Sequence, residues 1–216
     1  MNLKIIELYY LIQLLNNYEI SIIDKIKFYL NTYKFNNDRE LRIAVKLWKS
    51  DISTCINKYG HISYWDVFKI TNMSKLFSDM EEFNEDISRW NTTNVKDMRN
   101  MFCGSSKFNQ PLNSWDVGKV KHIGGMFSHC YSFNQSLNDW NTSNVKNINH
   151  MFWKCYIFNK PLNNWNVCNV KDMSWMFDKC HNFNQDISQW DLKHIKDKRY
   201  MFEDCNILEK YKPKIQ

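Results

Sequence analysis

Apolar residues recur in this chain at a fixed interval. From Trp65 a tryptophan stands every 25 residues, at Trp65, Trp90, Trp115, Trp140, Trp165 and Trp190. Phe77, Phe102, Phe127, Phe152, Phe177 and Phe202 keep the same step. So do Phe83, Phe108, Phe133, Phe158 and Phe183, with Leu208 in the last place. A further column is Ile62, Ile87, Leu112, Leu137, Leu162 and Ile187. Such self-similarity is the signature of stacked repeats, where no unit buries its apolar face alone.

Within one unit, Leu112, Trp115, Val117 and Val120 fit L-x-x-W-x-V-x-x-V, which maps onto the strand segment of a leucine-rich repeat. Trp115 and Val117 alternate as a strand requires. Val120, Ile123, Met126, Phe127 and Cys130 follow at steps of three and four, the spacing of one helical stripe. Phe133-Asn134 then turns the chain back. The spacing predicts an α/β fold: a leucine-rich-repeat-like right-handed solenoid of about six 25-residue coils over residues 60–208.

Residues 1–59 lack the repeat and read as a helical segment with a solenoid cap; 209–216 read as a polar tail. Residues 3–15 are apolar nearly all round, the mark of a buried helix. Ser21 and Asp24 form a capping pattern before a run to Leu30. Asn37-Asp38 caps a helix through Trp48, and Asp51–Tyr59 forms another, ended by Gly60. Residues 38–59 fit a cap, while 1–36 exceed one and offer a separate docking element.

The phrases WNTTNVKDMRNMFCGSSKFNQPLNSW and WNVCNVKDMSWMFDKCHNFNQDISQW resemble the repeat W-D-V-S-N-V-T-D-M-S-x-M-F-x-x-C-x-x-F-N-Q-x-L-S. That is the BspA-like, Mycoplasma-type surface-protein repeat family, and the resemblance covers residues 60–208. It implies a right-handed solenoid and a binding role, with no catalytic residues to carry over. Two departures stand out. Val or Ile (Ile70, Val95, Val120, Val145, Val170, Ile195) replaces the Asn of the usual leucine-rich-repeat strand, and Lys198 stands where Met73, Met98, Ile123, Ile148 and Met173 stand.

Charge adds little. With 29 cationic against 23 anionic residues the surface is mixed, whereas a nucleic-acid binder clusters its basic residues. The N-terminus has neither the uninterrupted apolar stretch of a secretory signal nor the length of a membrane span. An intracellular protein is expected, and a disulfide framework is not.

Four sets of positions invite a functional reading. The tryptophan column is either core or a stacking platform, and its apolar partners two positions on favour core. Cys130, Cys155, Cys180 and Cys205 share a column with Met80 and Ser105, which reads as a small inward filler; His129 and His181 flank it, but a ladder does not converge as zinc ligands do. Lys96, Lys121, Lys146, Lys171 and Lys196 form a ridge: a docking stripe for an acidic partner, or a solvated edge neutralised by Asp97, Asp172 and Asp197. The strand positions expected to face outward are the preferred partner-binding set, on the concave face: Asp66, Asn91, Asp116, Asn141, Asn166 and Asp191, and beside them Arg89, Ser114, Asp139, Asn164 and Gln189.

No phosphate-cradling glycine loop, HExxH or GxSxG occurs. The expectation is a monomeric, non-enzymatic protein–protein interaction scaffold with no cofactor, metal, nucleic acid or membrane span. The alternatives are a surface adhesin and an adaptor recruiting a partner through the N-terminal helices, although the Leu-Pro start of an F-box is absent.

Overall fold

The structure is a computed structural model and describes residues 32–214. The helices expected at 3–15 and before Leu30 lie outside those residues. Two helices follow where the capping patterns place them. Helix α1 (Asp38–Ser50) is capped by Asn37, whose side chain accepts from the Glu40 amide at 3.0 Å. Glu40 in turn accepts from the Asn36 amide at 2.8 Å, a reciprocal cap. The buried stripe of α1 is Leu41, Ala44, Val45 and Trp48. Helix α2 (Ile52–Tyr59) is capped by Asp51 and stops at Gly60, whose φ of 71° lies in the left-handed region that glycine enters without strain. The cap also takes in Phe35, buried against the Trp65 ring at 5.0 Å.

The repeats are neither strands nor helices, which overturns the α/β solenoid expected above. Among the described residues both α-helices precede the repeats. Pairing between units is confined to isolated parallel bridges: Asn72 with Asp97, Asp97 with His122, His122 with Asn147, Asn147 with Asp172, and Asp172 with Asp197. Each unit is a succession of β-turns instead. The amides of Trp115, Val120, Met126, Cys130 and Phe133 donate to the carbonyls of Leu112, Val117, Ile123, Phe127 and Cys130 at 2.9–3.1 Å. A β-turn brings its first and fourth residues together, so a string of turns returns side chains inward at steps of three. That is the spacing of Leu112–Trp115, Val117–Val120 and Ile123–Met126, the residues read above as strand and helix. A helical stripe would average about 3.6, and left-handed residues at Gly125 (φ 65°) and His129 (φ 60°) break any helix here.

Alternate amides cross to the neighbouring unit. Those of Ile123, Gly125, Phe127 and His129 donate to the carbonyls of Asn147, Asn149, Met151 and Trp153 at 2.7–3.1 Å. Backbone groups that the turns leave over are therefore satisfied by neighbouring units.

Side chains repeat the same logic. The tryptophan column is core, 2–4% exposed. The indole N–H of Trp115, Trp140 and Trp165 donates to the carbonyl of Ile87, Leu112 and Leu137 in the preceding unit at 2.8–3.1 Å. Phe102–Phe108 and Phe127–Phe133 stack at 4.0 Å within a unit, and Phe102–Phe127 at 5.7 Å between units. Cys130, Cys155 and Cys180 are free thiols that donate to the carbonyls of Phe102, Phe127 and Phe152 at 2.8–2.9 Å. Ser105 does the same to Phe77 at 2.6 Å, so hydroxyl and thiol are interchangeable small donors in this column. Asparagines form a further ladder: the amides of Asn109, Asn134, Asn159 and Asn184 donate to the side-chain oxygens of Asn84, Asn109, Asn134 and Asn159 at 2.9–3.1 Å.

Helix α1 supplies what the first unit lacks. In the interior each column lysine donates its amide to the carbonyl one unit back; Thr71 has no unit behind it and donates to Asp38 Oδ1 at 2.8 Å. Arg42 fills the carbonyls of Ser74 and Asn72 at 2.7 and 3.2 Å. At the other end the chain folds back, so that the Tyr211 carbonyl accepts from the Ile187 amide at 3.1 Å and Pro213 is buried. Within the polar tail, Tyr211 packs against the core.

Candidate interaction surface

The preferred set from the sequence divides in two. In the first row every side chain closes a local turn: Asp66, Asn91, Asp116, Asn141, Asn166 and Asp191 accept from the amide two residues on at 2.8–3.2 Å. Asp and Asn recur there because a short side-chain oxygen can make this Asx turn. In the second row Arg89, Ser114, Asp139, Asn164 and Gln189 are exposed. Neither row lines a concave strand face, because the units contain no strands among the described residues.

The lysine ridge is better defined. Lys121, Lys146, Lys171 and Lys196 each donate the backbone amide to the carbonyl of the lysine before, at 2.8–2.9 Å. All five lysines from Lys96 are exposed. None belongs to an ion pair among the described residues. The acids expected to neutralise them are engaged elsewhere. Asp97 pairs with Arg99 at 2.5 Å and Asp197 with Arg199 at 2.6 Å. Asp172 accepts from Ser174 Oγ at 2.7 Å and Asn147 Nδ2 at 3.1 Å. Burial opposes ionisation of Asp97, but hydrogen bonds from the Arg99 guanidinium and amide outweigh it and hold the carboxyl below its usual range. The same bonds from Arg199 bring Asp197 down to about 2.

Beside the ridge runs a column that does not repeat: Lys75, Asn100, Gly125, His150, Trp175 and Tyr200. The backbone is left-handed at all six, with φ between 52° and 65°. Glycine and asparagine adopt that conformation readily, whereas a bulky side chain there costs about 1 kcal/mol or more. Yet three members are aromatic, and they stack: His150 on Trp175 at 6.0 Å and Trp175 on Tyr200 at 4.2 Å. Tyr200 is 52% exposed. Trp153 stands edge-on to His150 at 5.5 Å and to His129 at 4.6 Å, anchored by its indole N–H on Asp178 Oδ2 at 2.7 Å. Further round, Tyr131, Tyr156 and His181 stack at 5.1 Å intervals.

Ridge and aromatic column meet in a cleft of about 550 Å³ lined by Arg99, His122, Gly125, Lys146, His150 and Lys171. Burial lowers the pKa of His150. Burial also pushes the thiols of Cys130, Cys155 and Cys180 well above the usual range, which makes them poor nucleophiles. Among the described residues no three His, Cys, Asp or Glu side chains gather as a metal site. The surface offers charge, amides and aromatic faces.

The family described as "Mycoplasma protein of unknown function, DUF285" matches residues 48–156 and 132–214. The chain belongs to that family. No curated protein and no solved structure matches it. Among the described residues of this DUF285 chain no helix is long and apolar enough to cross a membrane. Two features of this family member escaped the sequence reading. One is the asparagine ladder, signalled by the recurrence of Asn84, Asn109, Asn134, Asn159 and Asn184. The other is the aromatic column, whose signal was the presence of Trp153 and Trp175 outside the 25-residue tryptophan register.

Proposed function

We infer that this DUF285 chain is a non-enzymatic protein-interaction module, binding through the face that carries the lysine ridge and the His150–Trp175–Tyr200 column. The supporting observation is the placement of aromatic rings, Tyr200 exposed and His150 and Trp175 half-buried, at left-handed backbone positions that the same column elsewhere fills with Lys75, Asn100 and Gly125. Strain kept at an exposed position is a pointer to function, since folding alone favours its removal. Three stacked rings give a rigid apolar contact area that loses little entropy on binding. The finer likeness to BspA-like repeats agrees with a binding role. The exposed row Arg89, Ser114, Asp139, Asn164 and Gln189 is the remaining surface for further contacts.

The test is a Trp175→Asn/Tyr200→Asn double variant. Asparagine tolerates the left-handed region, so the melting temperature should hold or rise. Crosslinking capture of partner proteins by the full chain should fall strongly in the variant. Undiminished capture by a folded variant would move the interaction off this face.

A further inference from the structure

We propose that the lysine ridge and its cleft hold an acidic amphipathic helix of a partner protein, laid along the stack of units. The proposal rests on the protein-binding reading above and names the partner's chemistry. The ridge presents Lys96, Lys121, Lys146, Lys171 and Lys196, all exposed and outside every ion pair among the described residues. Their backbones are hydrogen bonded lysine to lysine. Paired backbones lie about 4.8 Å apart, so the five stems leave at that interval and span about 19 Å.

This interval selects the ligand. Acidic residues at i, i+3 and i+4 on a helix recur about every 4.5–6 Å along its axis, and about 13 residues of helix cover the ridge. An extended chain repeats side chains on one face at about 6.6–6.8 Å and drifts out of register within a few lysines. Phosphates along one strand of a duplex recur at about 3.4 Å and fit no better. The local field is uncompensated, since Asp97 and Asp197 face Arg99 and Arg199. Asp172 remains as the one acid in the cleft wall, held by Ser174 and Asn147. The cleft opens between Lys146, Lys171 and His150. The cleft is lined by charged and amide side chains and takes a glutamate of the acidic stripe, while the Trp175–Tyr200 stack receives the helix's apolar face.

The probe is a fluorescent helical peptide of about 20 residues with glutamates at i, i+4, i+7 and i+11 and Leu and Trp on the adjoining face. Its controls are a peptide of identical composition with scrambled glutamates and a single-stranded RNA of similar charge. Anisotropy titration of the full chain should show saturable binding of the patterned peptide, at least about tenfold tighter than the scrambled one, and weakening with salt. Lys121→Glu/Lys146→Glu/Lys171→Glu should weaken it by at least about tenfold with an unchanged melting temperature. Several results overturn the proposal: no saturable binding, equal affinity for the scrambled peptide, a triple variant that binds like wild type, or tighter binding of the RNA. Partner capture that depends on Trp175 and Tyr200 but survives the lysine reversals overturns the acidic-helix proposal and leaves the protein-binding reading standing. Capture that depends on neither set removes both.

Discussion

The helical cap and the stacked units solve one physical problem in opposite ways. In α1 and α2 the backbone amides find acceptors within the same helix, and the ends are closed by Asn37, Asp51 and Gly60. In the units, alternate amides from Ile123 to Cys130 have no local partner and donate to the next unit. A helix is therefore a local statement that its own sequence can make, while a single unit has no stable form without neighbours. Stability in the units should be shared, so damage to one inward column should spread along the stack.

Four substitutions or measurements sharpen that contrast, in falling order of effect. Trp140→Ala removes a buried ring and the donor to the Leu112 carbonyl in mid-stack, and should cost about 3–5 kcal/mol by denaturant titration. A loss under about 1 kcal/mol would mean the column is not a shared core. Asn134→Ala strands the Asn159 amide and should cost about 1–2 kcal/mol, more than the exposed Asn164→Ala. Asp38→Ala opens the cap and should cost about 1 kcal/mol, with faster amide exchange concentrated at Thr71 and Asn72.

Acid is the mildest perturbation. Asp97 and Asp197 have lowered pKa values in the folded chain, so their contribution is complete above the ordinary carboxylate range. It is lost as pH falls through the lowered folded values, for Asp197 at about 2. Melting temperature should decline gently over that window, and less so in an Arg99→Leu/Arg199→Leu variant. Thiol labelling near neutral pH complements this: exposed Cys168 should react quickly and buried Cys130, Cys155 and Cys180 only on unfolding.

What was legible follows the same division. The caps at Asn37, Asp51 and Gly60 could be read because their bonds are local. The inward columns could be read because burial imposes an apolar or small side chain on every unit, with Trp kept in all six. The path between them could not. Three-residue steps such as Leu112–Trp115 and Val117–Val120 imitate a leucine-rich-repeat strand, and nothing local announces that the alternate amides cross units. The Asp66–Asp191 row is polar and repeats, as a recognition surface does, and the turn closure that it also performs depends on backbone geometry that the sequence does not display. The aromatic column was overlooked for the converse reason: it changes from unit to unit, and its meaning depends on a left-handed φ that no single residue type reveals.

Residue-resolved hydrogen exchange on the full chain tests the central claim, that the units are held by one another. The amides of Phe102, Gly125, Phe127, His150 and Phe152 should exchange slowly, at one common opening free energy close to that of global unfolding. Those of α1 and α2 should open at lower cost, since they lie at the end of the stack. Fast exchange in the units with protection confined to the two helices would contradict the account.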